Sequence, residues 1–188
     1  MKKAIAYVIG HIFYNKKYLQ GKHFPHKYGS GWKMINRNWF MQKVIGINRV
    51  VPFPVDFRMK VVNWKNIIFD LDDISIFHKI GNYYQAPEAK IYIGKGTQIA
   101  NGVAIITSNH DLEDITIHSK GKDVIIGEKC WIGSNAVILP GVELGEHTIV
   151  GAGAVVTKSF PEGRCVIGGV PAKKIKEIEI NNIANKGE

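Results

Sequence analysis

Residues 107–123 are polar, carry His110 and His118, and lie between two apolar runs, Ile105-Ile106 and Val124-Ile-Ile126. Imidazole is the side chain that can take up and return a proton near neutral pH, and a long polar excursion from a compact region usually has a function. His110, close behind the first apolar run, is therefore the candidate general base. Asn109 and Asp111 flank it. Either could touch an acceptor, and Asp111 could instead hold the imidazole in one tautomer. His118, deeper in the excursion, and His147, outside it, read as bystanders. No serine, cysteine or lysine stands beside His110 in a nucleophile motif, so a covalent enzyme intermediate is not indicated. Cys130 and Cys165 lack metal-ligand spacing and are expected to be reduced and structural. Asp70, Asp72 and Asp73 lack the glycine and remaining ligands of a calcium loop and suit a turn or the cap of a short helix. No metal is expected.

The elements that position His110 follow from a period of six. From Ile126 to Val155 the chain reads as consecutive six-residue blocks beginning at Ile126, Ile132, Ile138, Leu144 and Val150, each with a small or short-branched fifth residue. Blocks at Ile93 and Ile99 share the register. Six matches neither the helical period nor plain strand alternation. It suits a triangular coil in which each block makes one short strand and one corner, with first residues stacked coil on coil and fifth residues filling the narrow interior.

The stretch from Cys130 to Val142 (CWIGSNAVILPGV), then Ile149 to Lys158 (IVGAGAVVTK), then Gly169 to Lys173 (GVPAK) resembles the hexapeptide-repeat acyltransferases, most of all the sugar and xenobiotic O-acetyltransferases. The resemblance covers roughly Tyr84 to Lys176. It implies an all-β fold with short helical additions, a left-handed parallel β-helix carrying an N-terminal extension. The general rule for parallel crossovers would give right-handed coils, and the expectation here follows the resemblance. Expected boundaries are an extension over 1–80, the β-helix over 81–172 with its loop at 107–124, and a tail over 173–188. The resemblance also implies acetyl-CoA as donor, His110 as catalytic base, a homotrimer with its site between neighbours, and a sugar or glycan-precursor acceptor. Carried over position by position, Ser134 and Ala152 should meet the pantetheine arm, a backbone N–H at Gly133 or Ser134 should serve the oxyanion, and Trp131 should wall the site. Thr157 and Lys158 should lie near the nucleotide, and Lys173 and Lys176 near phosphate, where relatives often carry arginine. Tyr84 and Gln85, with Asn82 and Glu88 nearby, are the acceptor candidates from the preceding coil. An amino-sugar or serine acceptor is the alternative. A zinc enzyme of the gamma-carbonic-anhydrase type, needing three convergent histidines, and a non-catalytic trimeric scaffold are the readings further away.

Charge divides the chain. Residues 1–65 hold 13 Lys and Arg against one acid, Asp56, and residues 66–188 hold 12 basic and 15 acidic side chains, so +12 and −3 make up the net +9. Ile5, Val8, Ile9, Ile12 and Phe13 recur at helical spacing, with Lys2, Lys3, Lys16 and Lys17 around them. Two uses are open: a helix packed on the coil, or a surface for something anionic, an acidic glycan or a membrane leaflet. No nucleic-acid recognition motif is present. The first apolar run is too short for an export signal and no segment is long enough to span a bilayer, so a cytoplasmic protein is expected, with peripheral contact at the inner membrane face if the basic segment is a lipid surface.

Overall fold

The computed structural model describes residues 2–25 and 29–179, with side chains described from residue 5. Two helices, α1 (Lys2–Phe13) and α2 (Ser30–Trp39), precede the strands, and α2 runs on as a π-helix, Phe40–Ile45. Fourteen short strands follow in order: β1 (Lys60–Val62), β2 (Ile67–Phe69), β3 (Tyr83–Gln85), β4 (Ile91–Ile93), β5 (Gln98–Ile99), β6 (Ala104–Ile106) and β7 (Val124–Ile126), then β8 (Trp131–Ile132), β9 (Val137–Ile138), β10 (Glu143–Leu144), β11 (Ile149–Val150), β12 (Val155–Val156), β13 (Cys165–Gly168) and β14 (Lys173–Glu177). They form three sheets visited in rotation: β1-β3-β6-β9-β12, then β2-β4-β7-β10, then β5-β8-β11-β13-β14. Every pairing is parallel except β13 with β14.

The six-residue period is the cause of this arrangement. Block-leading residues pair with their equivalents one coil on: Ile99 with Ile132, Ile132 with Val150, Ile126 with Leu144, Ile138 with Val156. All of these are buried, as are the fifth-position residues Cys130, Ala136, Val142, Thr148 and Ala154. Burying each branched aliphatic chain contributes about 1.5–3 kcal/mol, so a ladder of them outweighs the low intrinsic stability of two-residue strands. Corners stack as tightly as sides: a Cβ on Gly94 would lie 2.4 Å from the backbone carbon of Gly127 on the next coil.

Parallel pairing starts earlier than the expected boundary at 81. β1 pairs with β3 and β2 with β4, so residues 60–69 already belong to the coil. The block pattern is invisible there because the third side of that turn is a 3-10 helix, Leu71–Phe77, N-capped by Asp70, whose carboxylate accepts from the Asp72 amide at 2.8 Å. Above it lies an aromatic plug: the Phe53, Phe69 and Phe77 rings stand 4.7–5.4 Å apart, and Phe77 continues to Tyr84 at 5.7 Å. The helices are tied to this plug by Gln42. Its carbonyl accepts from the Tyr14 hydroxyl and the Val55 amide, and its amide donates to the Phe53 carbonyl at 2.9 Å. Asp56 is buried beside it, held by Arg58 at 2.8 Å and Arg37 at 3.3 Å.

Helix α1 packs, but not on the face its apolar spacing suggested. Its buried positions are Ala6 and Gly10, with Tyr14 buried just past its end, and Gly10 lets α2 approach so closely that a Cβ would stand 2.7 Å from the Trp32 ring. Ile5, Val8, Ile12 and Phe13 stay exposed, with only Ile9 of that set packed against the core. The tail expected from 173 begins as a strand, β14, and Ile180 falls outside the described residues.

Candidate functional site

The excursion at 107–123 folds back on itself as an arm. It leaves the coil at buried Thr107, between the first and second sheets, and returns as the Lys122 amide donates to the Thr107 carbonyl at 2.7 Å. Further out, Ser119 N–H donates to Asn109 O and Asp111 N–H to Ile117 O, both at 2.9 Å, around an antiparallel bridge between His110 and His118. Asp114 shapes the outer turn by accepting from Thr116. Leu112 (98% exposed), Ile115 and Ile117 project from the arm into solvent.

Within the arm, His110 Nδ1 lies 2.7 Å from the Ile115 carbonyl oxygen. A carbonyl only accepts, so Nδ1 carries the hydrogen and Nε2 presents its lone pair. Asp111 does not take this part. Its carboxylate accepts from the Glu113 and Asp114 amides, which hold it below the usual carboxylate range. The tautomer is set by a main-chain oxygen, for which no side-chain pattern gives a signal. His118, set aside as a bystander, has its ring 4.4 Å from that of His110. The two-residue bridge explains the meeting, and the wide separation in sequence hid it.

The preceding coil holds the root of the arm. Gln85 accepts from the Thr107 and Ser108 amides at 3.1 and 3.3 Å and donates to the Ser108 hydroxyl at 3.0 Å. Tyr84, expected at the acceptor, is instead wholly buried, its hydroxyl donating to the Ile76 carbonyl and accepting from Asn82. It occupies the stacking column, paired with Ile105, so it is a core residue. Asn82 is likewise buried, with its side-chain oxygen accepting from the Val103 amide. Asn109 and Glu88 are exposed.

The donor candidates divide between elements. Ser134 and Ala152 share one corner column, between the third and first sheets, where Gly153 N–H donates to Ser134 O at 2.8 Å and a Cβ on Gly153 would meet open space. Gly133 is buried there, its amide donating to Val150 O, so of the two amides expected to serve an oxyanion Gly133's is already used in the coil. Thr157 and Lys158 follow β12 on the opposite edge of the first sheet, the edge from which the His110 arm leaves, and Lys158 sits 5.7 Å over the Phe160 ring. Trp131 is exposed on the third sheet between Gln98 and Ile149. Lys173 and Lys176 lie on β14 at the margin of that sheet and have no ion-pair partner among the described residues. One chain thus places His110 on one edge and the Ser134–Ala152 corner on another. Among the described residues, no group of three or more His, Cys, Asp or Glu gathers as a metal site. Cys130 is buried, its thiol pushed up by burial and donating to Gly145 O.

A family model for bacterial transferase hexapeptide (six repeats) matches residues 123–158. The chain is 33% identical to a "Probable macrolide acetyltransferase" of Lysinibacillus sphaericus, over 54% of this chain and 67% of that protein. It is 36% identical to the galactoside O-acetyltransferase of Escherichia coli strain K12, over 47% of this chain and 44% of that one. The chain spans about half the length of the curated relatives it matches, from 44% to 67% in these two cases. Among solved structures, a hexapeptide-repeat acetyltransferase of Vibrio cholerae, complexed with acetyl coenzyme A, superposes with a TM-score of 0.50 at 22% identity, over 65% of this chain and 61% of that one. The likeness is one of fold.

Proposed function

The chain belongs to the hexapeptide-repeat acyltransferase family, and from that premise we propose that it is an acetyl-CoA-dependent O-acetyltransferase acting on a hydroxyl of a sugar or glycan precursor. The observation that carries this reading is the His110 arm, which holds an imidazole outside the coil with Nδ1 committed to Ile115 and Nε2 free to act. Nε2 takes the proton of the acceptor hydroxyl as its oxygen attacks, and returns it to the departing sulfur. Acetyl-CoA supplies the activated thioester carbonyl. This chain's part is to seat it: the open corner at Ser134 and Ala152 suits an extended arm, Trp131 offers an apolar wall, and Lys158, Lys173 and Lys176 offer charge to phosphates. The exposed Ser134 amide serves the oxyanion.

The base and the donor corner lie on different edges of one chain, and the arm carries Leu112, Ile115 and Ile117 bare to solvent. Both features suit a homotrimer of left-handed coils in which each arm reaches a neighbour's donor corner, covering its apolar tip. Acetyl-CoA is an intracellular metabolite, which supports a cytoplasmic site for the reaction. The test is thiol release from acetyl-CoA across a panel of sugars and amino sugars, run beside His110→Ala, with mass spectrometry of the product. Acetyl ester formation that disappears in the variant is expected. No transfer to any hydroxyl acceptor, or transfer that persists without His110, would overturn the reading.

A further inference from the structure

Helix α1 is apolar on two opposite sides, with His11 exposed between them. On one side Ala6 and Gly10 are buried, with Gly10 against Trp32 and Ile35 of α2, and the opposite stripe, Ile5, Val8 and Ile12, faces solvent, with Ile12 66% exposed. A surface helix normally turns polar side chains outward, so a helix apolar on both sides meets a second apolar medium. The bare surface continues beyond α1. Phe13, itself exposed, stacks on Trp39 at 6.1 Å, and Trp39 meets Phe40 at 5.9 Å. From there exposed Phe40, Val44 and Ile45 on the π-helix extend it, and Val50 beyond is 80% exposed.

The charge around this face is of one sign. Asp56 is the only acid in residues 1–65, and it is buried between Arg58 and Arg37, so no carboxylate of this segment faces outward. Lys16 lies four residues beyond Ile12, and Lys33 precedes Phe40 and Val44 at seven- and eleven-residue spacing on the same side of the helix. Neither has an acidic partner among the described residues. Self-association through this face would bring cations against cations with no acid between them. An anionic lipid surface meets both halves of the pattern, taking aliphatic and aromatic side chains into the acyl boundary and lysines among the headgroups.

We propose that the face formed by the outer stripe of α1 and by Phe40, Val44 and Ile45 docks the protein on a bilayer carrying anionic lipid. The inference is independent of the acetyl-transfer reading, which the thiol-release assay tests separately. The experiment is co-sedimentation of the full chain with vesicles of phosphatidylcholine alone and with phosphatidylglycerol added. Wild type should pellet with the anionic vesicles, less so with neutral ones and less as salt is raised. Ile12→Glu with Val44→Glu should weaken partitioning about tenfold or more at an unchanged melting temperature, since both side chains are already in water. Lys16→Gln with Lys33→Gln should weaken binding to the anionic vesicles about tenfold or more and leave binding to neutral ones unchanged. Wild-type protein that stays in solution with anionic vesicles would overturn the proposal. So would a glutamate variant that pellets as wild type does, or one that alters the oligomer in light scattering without affecting vesicle binding.

Discussion

Gln85→Ala should loosen the root of the His110 arm and so separate two uses of Gln85. The carboxamide makes three short contacts to the arm: it accepts from the Thr107 and Ser108 amides and donates to the Ser108 hydroxyl. Thr107 N–H also donates to the Gln85 main-chain carbonyl at 3.0 Å and keeps that partner in the variant. Two interactions are then lost outright, each worth about 0.5–1.5 kcal/mol, for a total of about 1–3 kcal/mol. A chain of this size loses about 2–4 °C of melting temperature per kcal/mol, so a drop of about 2–12 °C is expected. The imidazole lies only two residues beyond Ser108, and a displacement on the order of 1 Å lowers kcat about a hundredfold. The assay is steady-state acetyl transfer with donor and acceptor varied in turn, alongside thermal denaturation. The expected pattern is a fall in kcat at constant donor KM, largely restored by Gln85→Glu, which keeps an acceptor for both amides and another for the Ser108 hydroxyl. A variant with normal kcat and melting temperature but a raised acceptor KM would refute this reasoning and return Gln85 to the acceptor contacts.

His110→Ala should lower kcat by roughly 10²–10⁴ with donor affinity unchanged, as measured by calorimetry with CoA, because the base is removed and the donor corner is untouched. Lys173→Ala should raise donor KM several-fold and leave kcat unchanged, and added salt should raise the wild-type donor KM in the same direction. Arg58→Ala should lower the urea midpoint by leaving the buried Asp56 carboxylate with Arg37 alone. The hydrogen bond from Arg58 holds the Asp56 pKa below its ordinary value, so its contribution is complete above the unfolded carboxylate pKa and is lost as pH falls through the lower folded value. Wild type should therefore lose stability on acidification below about pH 4 more steeply than Arg58→Ala.

The coil was legible because it repeats: one block fixes which residues face inward, and every later block tests the assignment. Tyr84 was misassigned for the same reason. It stacks on Ile105 across 21 residues instead of 18, so counting in sixes passes it by. β1 and β2 escaped notice because their coil completes its third side with the helix Leu71–Phe77, whose period differs. The spacing of Ile5, Val8 and Ile12 marked a helix correctly, but spacing does not say which of two apolar stripes is buried. Gly10 was the clue, since a small residue allows a close helix crossing at the contact. His110 stood out by type and position, whereas the Ile115 carbonyl that orients it belongs to the backbone, which every residue shares.

A coil in which each turn templates the next has no internal reason to stop growing, and two such stacks meeting end to end could zip into a filament. At the margin of the third sheet, β14 runs against the direction of the other strands of that sheet, and Lys173, Lys174, Lys176 and the remaining β14 side chains are all exposed. An incoming parallel strand would find reversed polarity and the lysines Lys173 and Lys176 there. At the opposite end the phenylalanine plug and the two helices cover the first turn. The repeat supplies the cohesion, and its irregular ends keep the particle finite.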